Sequence, residues 1–245
     1  MFARYNITRI IRDSEAYGND CFDEFKTGKC VSVGQAQILA KNWYEVSLEF
    51  GKSIACHSAV IVEAMERDRD IGGQNALKNL LPEIHRIAAH DLGLYEGAVD
   101  GKRGPFHSDM WVNMCCPLGK WRQVDVFPET KVLTGHIRDS LRISAPKGLA
   151  MIRVVEGTAL EIPKAMRPFF LAVREHNAPL FSEDTIGYIS HHVILEQDHD
   201  AVSGGVVDRY VEAFPESAEK FAQEVAVGCA LFGLFWKRMR REIYK

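Results

Sequence analysis

Apolar positions recur every three to four residues along most of this chain, the repeat of helices with one buried face. Between Val33 and Phe50, Leu39, Trp43, Val46 and Phe50 fall on one side, and Ile38 and Leu48 widen the stripe. The pattern predicts a helix there and a second, rich in small residues, over Ser53–Arg67, ending near Gly72–Gly73. A third helical segment spans Asn75–Leu92, with a kink or restart at Pro82 and a stop at Gly93. Tyr95–Trp121 reads as a loop holding a short helix near His107–Met114. A helix is expected within Glu129–Ile143, and another from Pro146 to about Val173, bent or divided by Pro163 and Pro168. Ser182 is an N-cap candidate for a helix that runs through His192 and ends before Gly204–Gly205. A short helix over Val206–Phe214 follows, then a last one from Pro215, with acids early and bases late as the helix dipole favours.

Strand signals are poor, Arg122–Phe127 being the one alternating run of note. No fixed-period repeat and no Pro/Gly/Ser linker divides the sequence. The expectation is an all-α fold, one domain over residues 1–245, with seven to nine helices in a bundle.

Composition narrows the function classes. The 30 basic and 33 acidic side chains give a net charge of −3, too balanced for bulk electrostatic capture of nucleic acid. The longest apolar stretch, Val225–Trp236, is too short to span a bilayer, and Met1–Asp20 lacks the apolar core of a secretory signal. None of the six cysteines forms a C-x-x-C pair, so a reduced, cytoplasmic protein is expected, with no membrane or nucleic-acid partner.

Candidate chemistry follows from polar residues set among apolar ones. His192, Glu196 and His199 stand four and three residues apart, on one helical face, with Val193, Ile194 and Leu195 between them. Two imidazoles and a carboxylate on a buried face need a partner, and an iron or manganese ion would satisfy all three. A partly exposed polar stripe is the bland alternative, since His191, Gln197, Asp198 and Asp200 are polar too. Glu83 and His90 lie seven residues apart on one face, although Glu83 also reads as a helix N-terminal carboxylate. Glu156 sits inside the apolar run GLAMIRVVEGTA and is favoured over Glu161 for an interior role. The single E-x-x-H motif disfavours a ferritin-like dimetal bundle, which uses two. His57 reads as a core histidine, and a Glu96/His107 pair is the fallback for the first ligand segment. Arg67, Arg69, Arg86 and Arg153 are candidates to hold a substrate carboxylate.

The order of these features resembles the haem-oxygenase-fold diiron oxidases, and among them the CADD-like group related to PqqC/TenA-type helical proteins. The resemblance is carried by Phe22–Lys29, Asn42–Val46, Ala76–Glu83, Val154–Leu160 and His191–His199. It implies a haem-oxygenase-like multi-helix bundle, a homodimer, and metal ligands at Glu83, His90, Glu156, His192, Glu196 and His199. The family usually has aspartate where Glu196 stands, so this chain adds a methylene on that side of the centre. The resemblance further implies two iron ions (or an Fe/Mn pair), O2 as co-substrate, and a small organic substrate such as an amino acid, fatty acid or related carboxylate. Some members consume a tyrosine placed directly before the central glutamate. Val155 stands there in this chain; Tyr44, Tyr95 and Tyr188 are candidate near-site tyrosines, with ordinary core packing the favoured reading for each. Two other classes stay open. One is a metal-free enzyme of the same fold, including a TenA-like hydrolase with Cys115 or Cys116 as nucleophile. The other is a non-enzymatic helical binding module.

Overall fold

In the computed structural model, which describes residues 6–68, 70–91 and 107–245, side-chain caps mark where several helices begin. Helices α1 (Ile7–Arg12) and α2 (Asp20–Lys26) start at Asn6 and Asn19, whose side chains accept from the backbone N–H of Arg9 and Phe22. Helix α3 (Val33–Arg67) opens with a capping box between Ser32 and Gln35. It is one helix of 35 residues where the sequence pattern predicts two. Gly51 costs a helix only about 1 kcal/mol, and the buried stripe of Val46, Phe50, Ile54 and Ile61 runs straight through it.

The predicted restart at Pro82 is present. Helix α4 (Ile71–Lys78) is capped by Asp70, and α5 (Leu81–Asp91) carries Pro82 at its second position, where a missing N–H breaks no helical bond. Helix α6 (His107–Cys115) lies where the short helix is expected, and α7 covers Pro128–Ile143. The long helix predicted after Pro146 is divided into α8 (Ala145–Ala159) and α9 (Ile162–Leu171), with Pro163 opening the second piece and Pro168 inside it.

Two expectations fail around α10 (Gly187–Ala213). Ser182 does not cap it; its N–H bonds to the Thr185 hydroxyl in a turn that precedes the helix. The helix also does not stop at Gly204–Gly205 but absorbs the short helix predicted beyond them. Packing against α8 and α9 overrides the low helix propensity of the two glycines. A 3-10 turn at Pro215–Ser217 then leads into α11 (Ala218–Ile243).

A small sheet joins β1 (Val31–Ser32), β2 (Val173–Glu175) and β3 (Ala178–Pro179), which are too short to show alternation in the sequence. Val31 pairs with Val173 in parallel, and β2 returns on β3 through His176 and Asn177, both at positive φ as a type I′ turn requires. The alternating run Arg122–Phe127 forms no strand: it holds part of a 3-10 turn and then extended chain. No helix among the described residues is long and apolar enough to cross a membrane.

Helix α8 is the centre of the packing, touching α7, α10 and α11 and also α3. Almost all of it is buried, so its polar residues must find partners inside the protein. Arg153, 3% exposed, donates to Asp200 Oδ1 at 2.5 Å, Ser203 Oγ at 3.1 Å and Thr8 Oγ1 at 3.3 Å. Where α3 crosses α8, the buried His57 ring takes the space above Gly148, and its Nδ1–H donates to Leu141 O at 2.8 Å. His57 is thus the core histidine expected from the sequence. Burial holds it down to about 4, against the raising effect of that carbonyl.

Three outcomes follow. Gly148→Ala sets a methyl 2.0 Å from His57 Cε1 and is expected to cost at least about 1–3 kcal/mol, read as a lower urea midpoint. His57 stays neutral in the fold while the unfolded chain protonates near 6.5, so its contribution is complete above pH 6.5 and is lost as pH falls toward 4. That amounts to about 3 kcal/mol, and His57→Gln should flatten the pH dependence of unfolding in that window. Asp200→Ala strands a buried guanidinium and should cost about 3–5 kcal/mol, whereas the double variant Arg153→Met/Asp200→Leu should cost far less.

Candidate metal centre

Four helices, α5, α6, α8 and α10, bring histidine and carboxylate side chains to one interior cavity. Helix α8 contributes Glu156, one turn after Arg153 and 3% exposed. Helix α10 contributes His192, Glu196 and His199, all buried on the face that the four-and-three spacing predicts. Ile194, by contrast, is exposed, so the V-I-L run between them does not bury every face of the helix. Helix α5 ends with the buried His90, which meets His199, and then Asp91, which lines the cavity.

His199 is the hub. Its Nδ1 lies 3.1 Å from Glu156 Oε2 and 3.6 Å from Glu196 Oε2, and its Nε2 lies 2.7 Å from His90 Nδ1. One ligand atom each from Glu156, Glu196 and His199 can be chosen so that all lie within 4.8 Å of one another. Burial works against a charged His199, but the charge and hydrogen bond of Glu156, joined by Glu196, push it up to about 11. Glu196 moves up to about 7: burial raises it, the His199 contact opposes, and the charge of Glu156 adds to the rise. Glu196 Oε2 is buried without a hydrogen bond among the described residues. Two carboxylates and an imidazole thus share one buried site whose donor atoms could hold a metal ion.

A second group faces the same cavity. His192 Nδ1–H donates to Tyr188 O at 2.7 Å, and burial keeps the ring neutral, well below the usual histidine value. The His107 ring meets it edge to face, with centroids 4.5 Å apart, and His107 Nδ1 lies 3.0 Å from Asp91 Oδ1. The other Asp91 oxygen is buried with no hydrogen bond among the described residues. The cavity measures about 320 Å³, and Trp43, Val46, Phe50, Val155, Ile162 and Phe232 form its apolar wall.

Glu83 stands apart from the residues proposed with it. Its Oε1 lies 3.7 Å from Arg209 Nη2, the side chain is 31% exposed, and it does not line the cavity. Seven residues of helix separate it from His90 by about 10 Å along the axis, so the α5 end that reaches His199 leaves Glu83 two turns away. Asp91 is the residue that spacing arguments overlook, although its position beside His90 is the signal for it. His107 appears in the sequence only through the Glu96 pairing, and Glu96 lies outside the described residues, as do Gly93, Tyr95 and Arg69.

Other candidates are accounted for by their contacts. Tyr188 lines the cavity with its ring 4.0 Å from that of His192, whereas Tyr44 packs on Trp121. Arg153 is committed to Asp200, Arg86 to Asp198 and Arg67 to Glu63. Cys115 is buried, which pushes its thiol well up, and neither Cys115 nor the exposed Cys116 lines the cavity. The basic end of α11 is covered by Glu15, Asp20, Glu24 and Glu242 through Lys237, Arg240 and Arg241.

No family model matches the sequence, and no curated protein matches it either. Solved structures do. A CADD-like protein of unknown function from Nostoc punctiforme PCC 73102 is 14% identical with a TM-score of 0.73, over 98% of this chain and 96% of that one. A second structure of that protein gives 0.69 over 97% and 93%. A TenA homolog from Pseudomonas syringae pv. tomato DC3000 is 15% identical with a TM-score of 0.64, over 95% of this chain and 91% of that one. With the helical bundle described above, these likenesses establish that the chain has the all-α, haem-oxygenase-like fold of the CADD-like and TenA-type proteins.

Proposed function

We propose that the chain is a non-haem dimetal oxidase or oxygenase that holds two iron ions, or an iron/manganese pair, and uses O2 to oxidise a small organic substrate. The observation that carries this reading is the convergence of Glu156, Glu196 and His199 in a buried site with His90 on the far side of the His199 ring. Mixed imidazole and carboxylate donors suit iron and manganese. The donor set also fits a cation on electrostatic grounds, because Glu156 and Glu196 bury two carboxylates beside each other. A redox-active metal pair bound there would supply Lewis acidity and the electrons for O2 reduction.

The chain's own residues define the rest. Glu156, Glu196, His199, His90 and His192 would hold metal, with the Tyr188 carbonyl fixing His192 so that Nε2 is its ligating nitrogen. The wall of Trp43, Val46, Phe50 and Phe232 excludes water and accepts the apolar part of a substrate. Lys52, exposed on the cavity rim, has no carboxylate partner among the described residues and is placed to orient a substrate carboxylate. A carboxylate such as an amino acid or fatty acid suits that division into an apolar floor and a cationic rim. This reading includes neither membrane nor nucleic acid among the partners.

Protein loaded anaerobically with Fe(II) should retain about two ions per chain by elemental analysis and consume O2 on exposure to air. His199→Ala and Glu156→Ala should abolish retention while leaving the far-UV circular dichroism helical. Unchanged metal content in both variants would overturn the assignment.

A further inference from the structure

We infer that His107, oriented by Asp91, is a metal ligand of this centre and occupies the role that sequence spacing gives to Glu83. The inference rests on the dimetal reading of the cavity and names a donor outside the set that the sequence resemblance implies.

The argument begins at the end of α5. The same turn that delivers His90 to His199 delivers Asp91 to His107, at 3.0 Å between Oδ1 and Nδ1. His107 opens α6 and is buried, 4% exposed. A carboxylate that holds imidazole Nδ1–H is the arrangement by which ligating histidines are oriented to present Nε2. His192 reaches the same state by another route, through the Tyr188 carbonyl. The two rings meet at 4.5 Å between centroids and 64° between planes, and both line the cavity that contains Glu156, Glu196 and His199. The two buried imidazoles, edge to face, form one nitrogen-rich donor pair for a divalent first-row transition ion.

The placement of Glu83 points the same way. With its carboxylate at Arg209 of α10 and partly in water, it is held by an ion pair two turns away from His90. The cavity then has Glu156 and His199 as one donor group, with His90 against the far side of the His199 ring, and His107 with His192 as another. Glu196 stands between His192 and His199 on α10, four residues from one and three from the other. Asp91, whose second oxygen has no hydrogen bond among the described residues, keeps His107 in place.

The test is a metal titration of the full chain with Fe(II) under anaerobic conditions and, separately, with Co(II), whose visible absorption reports ligand number. Variants are His107→Ala, Asp91→Asn and Glu83→Ala. Expected results are retention of about one ion in His107→Ala, with the visible Co(II) spectrum of the second equivalent lost, and about two ions in Glu83→Ala with the wild-type spectrum. Asp91→Asn should keep both ions but weaken the second by about 10–100-fold, as loss of an orienting carboxylate does. If His107→Ala fails to fold by circular dichroism, His107→Asn, which keeps a polar group of similar reach, takes its place. Two ions at wild-type affinity in the His107 variant, or loss of one ion in Glu83→Ala, would overturn the inference while leaving the dimetal reading intact. Failure of the wild-type chain to take up metal would instead remove the dimetal reading, and this inference with it.

Discussion

Helix α8 is so deeply buried that each charge on it must be answered from inside the protein, and α10 supplies both answers from adjacent positions. Arg153 meets Asp200, and one turn later Glu156 meets His199. Neighbouring residues of one helix, opposite in sign, thus match residues one turn apart on the other, also opposite in sign. A slide of α10 by one residue would set Asp198 or Asp200 against Glu156, and would leave Arg153 facing His199 or Ala201, each mismatch in a low-dielectric interior. The pairing therefore defines the register of the two helices, and the position of Glu156, Glu196 and His199 follows from it.

The polar interior is divided rather than diffuse. Around His199 the site is polar: burial and the charge of Glu156 raise Glu196 against the pull of His199, while Glu156 and Glu196 together raise the imidazole against its burial. Around His192 burial suppresses protonation, and the ring stays neutral on a backbone carbonyl. One cavity thus contains an imidazole of each kind within two turns of α10, and the difference comes from environment rather than residue type. Its opposite side is aromatic and aliphatic, so a small molecule entering it would have its reactive part against the polar residues and its apolar part against α3 and α11.

Much of this was legible from residue order. The histidine–glutamate–histidine face of α10 and the lone glutamate in the apolar run of α8 are strong signals, because an ionisable group amid aliphatic neighbours has few tolerable fates. The helical class was equally plain from periodicity. What was not legible depends on contacts distant in sequence. Glu83 and His90 share a helical face, yet only the crossing of α5 over α10 decides which end of α5 enters the interior. Asp91 and His107 are 16 residues apart and gain meaning only from their meeting. Gly204–Gly205 looked like a stop because local propensity counted against it, whereas packing along α10 carries the helix through. The strands of the small sheet, two or three residues each, hold too little pattern to be seen at all.

Helix α3 has one property that its length alone confers. It lends Trp43, Val46, Phe50 and Lys52 to the cavity and, further along, fits His57 into the gap over Gly148, with no interruption between the two. Being a single helix, it has one rotational phase from end to end. Substitutions on its outward face leave that phase untouched, whereas one residue inserted or removed between Lys52 and His57 turns the two parts by about 100° relative to each other. Either the substrate wall or the histidine socket would then face the wrong way. This stretch should accordingly vary in residue identity but keep its length, a constraint on insertions and deletions that no single contact reveals.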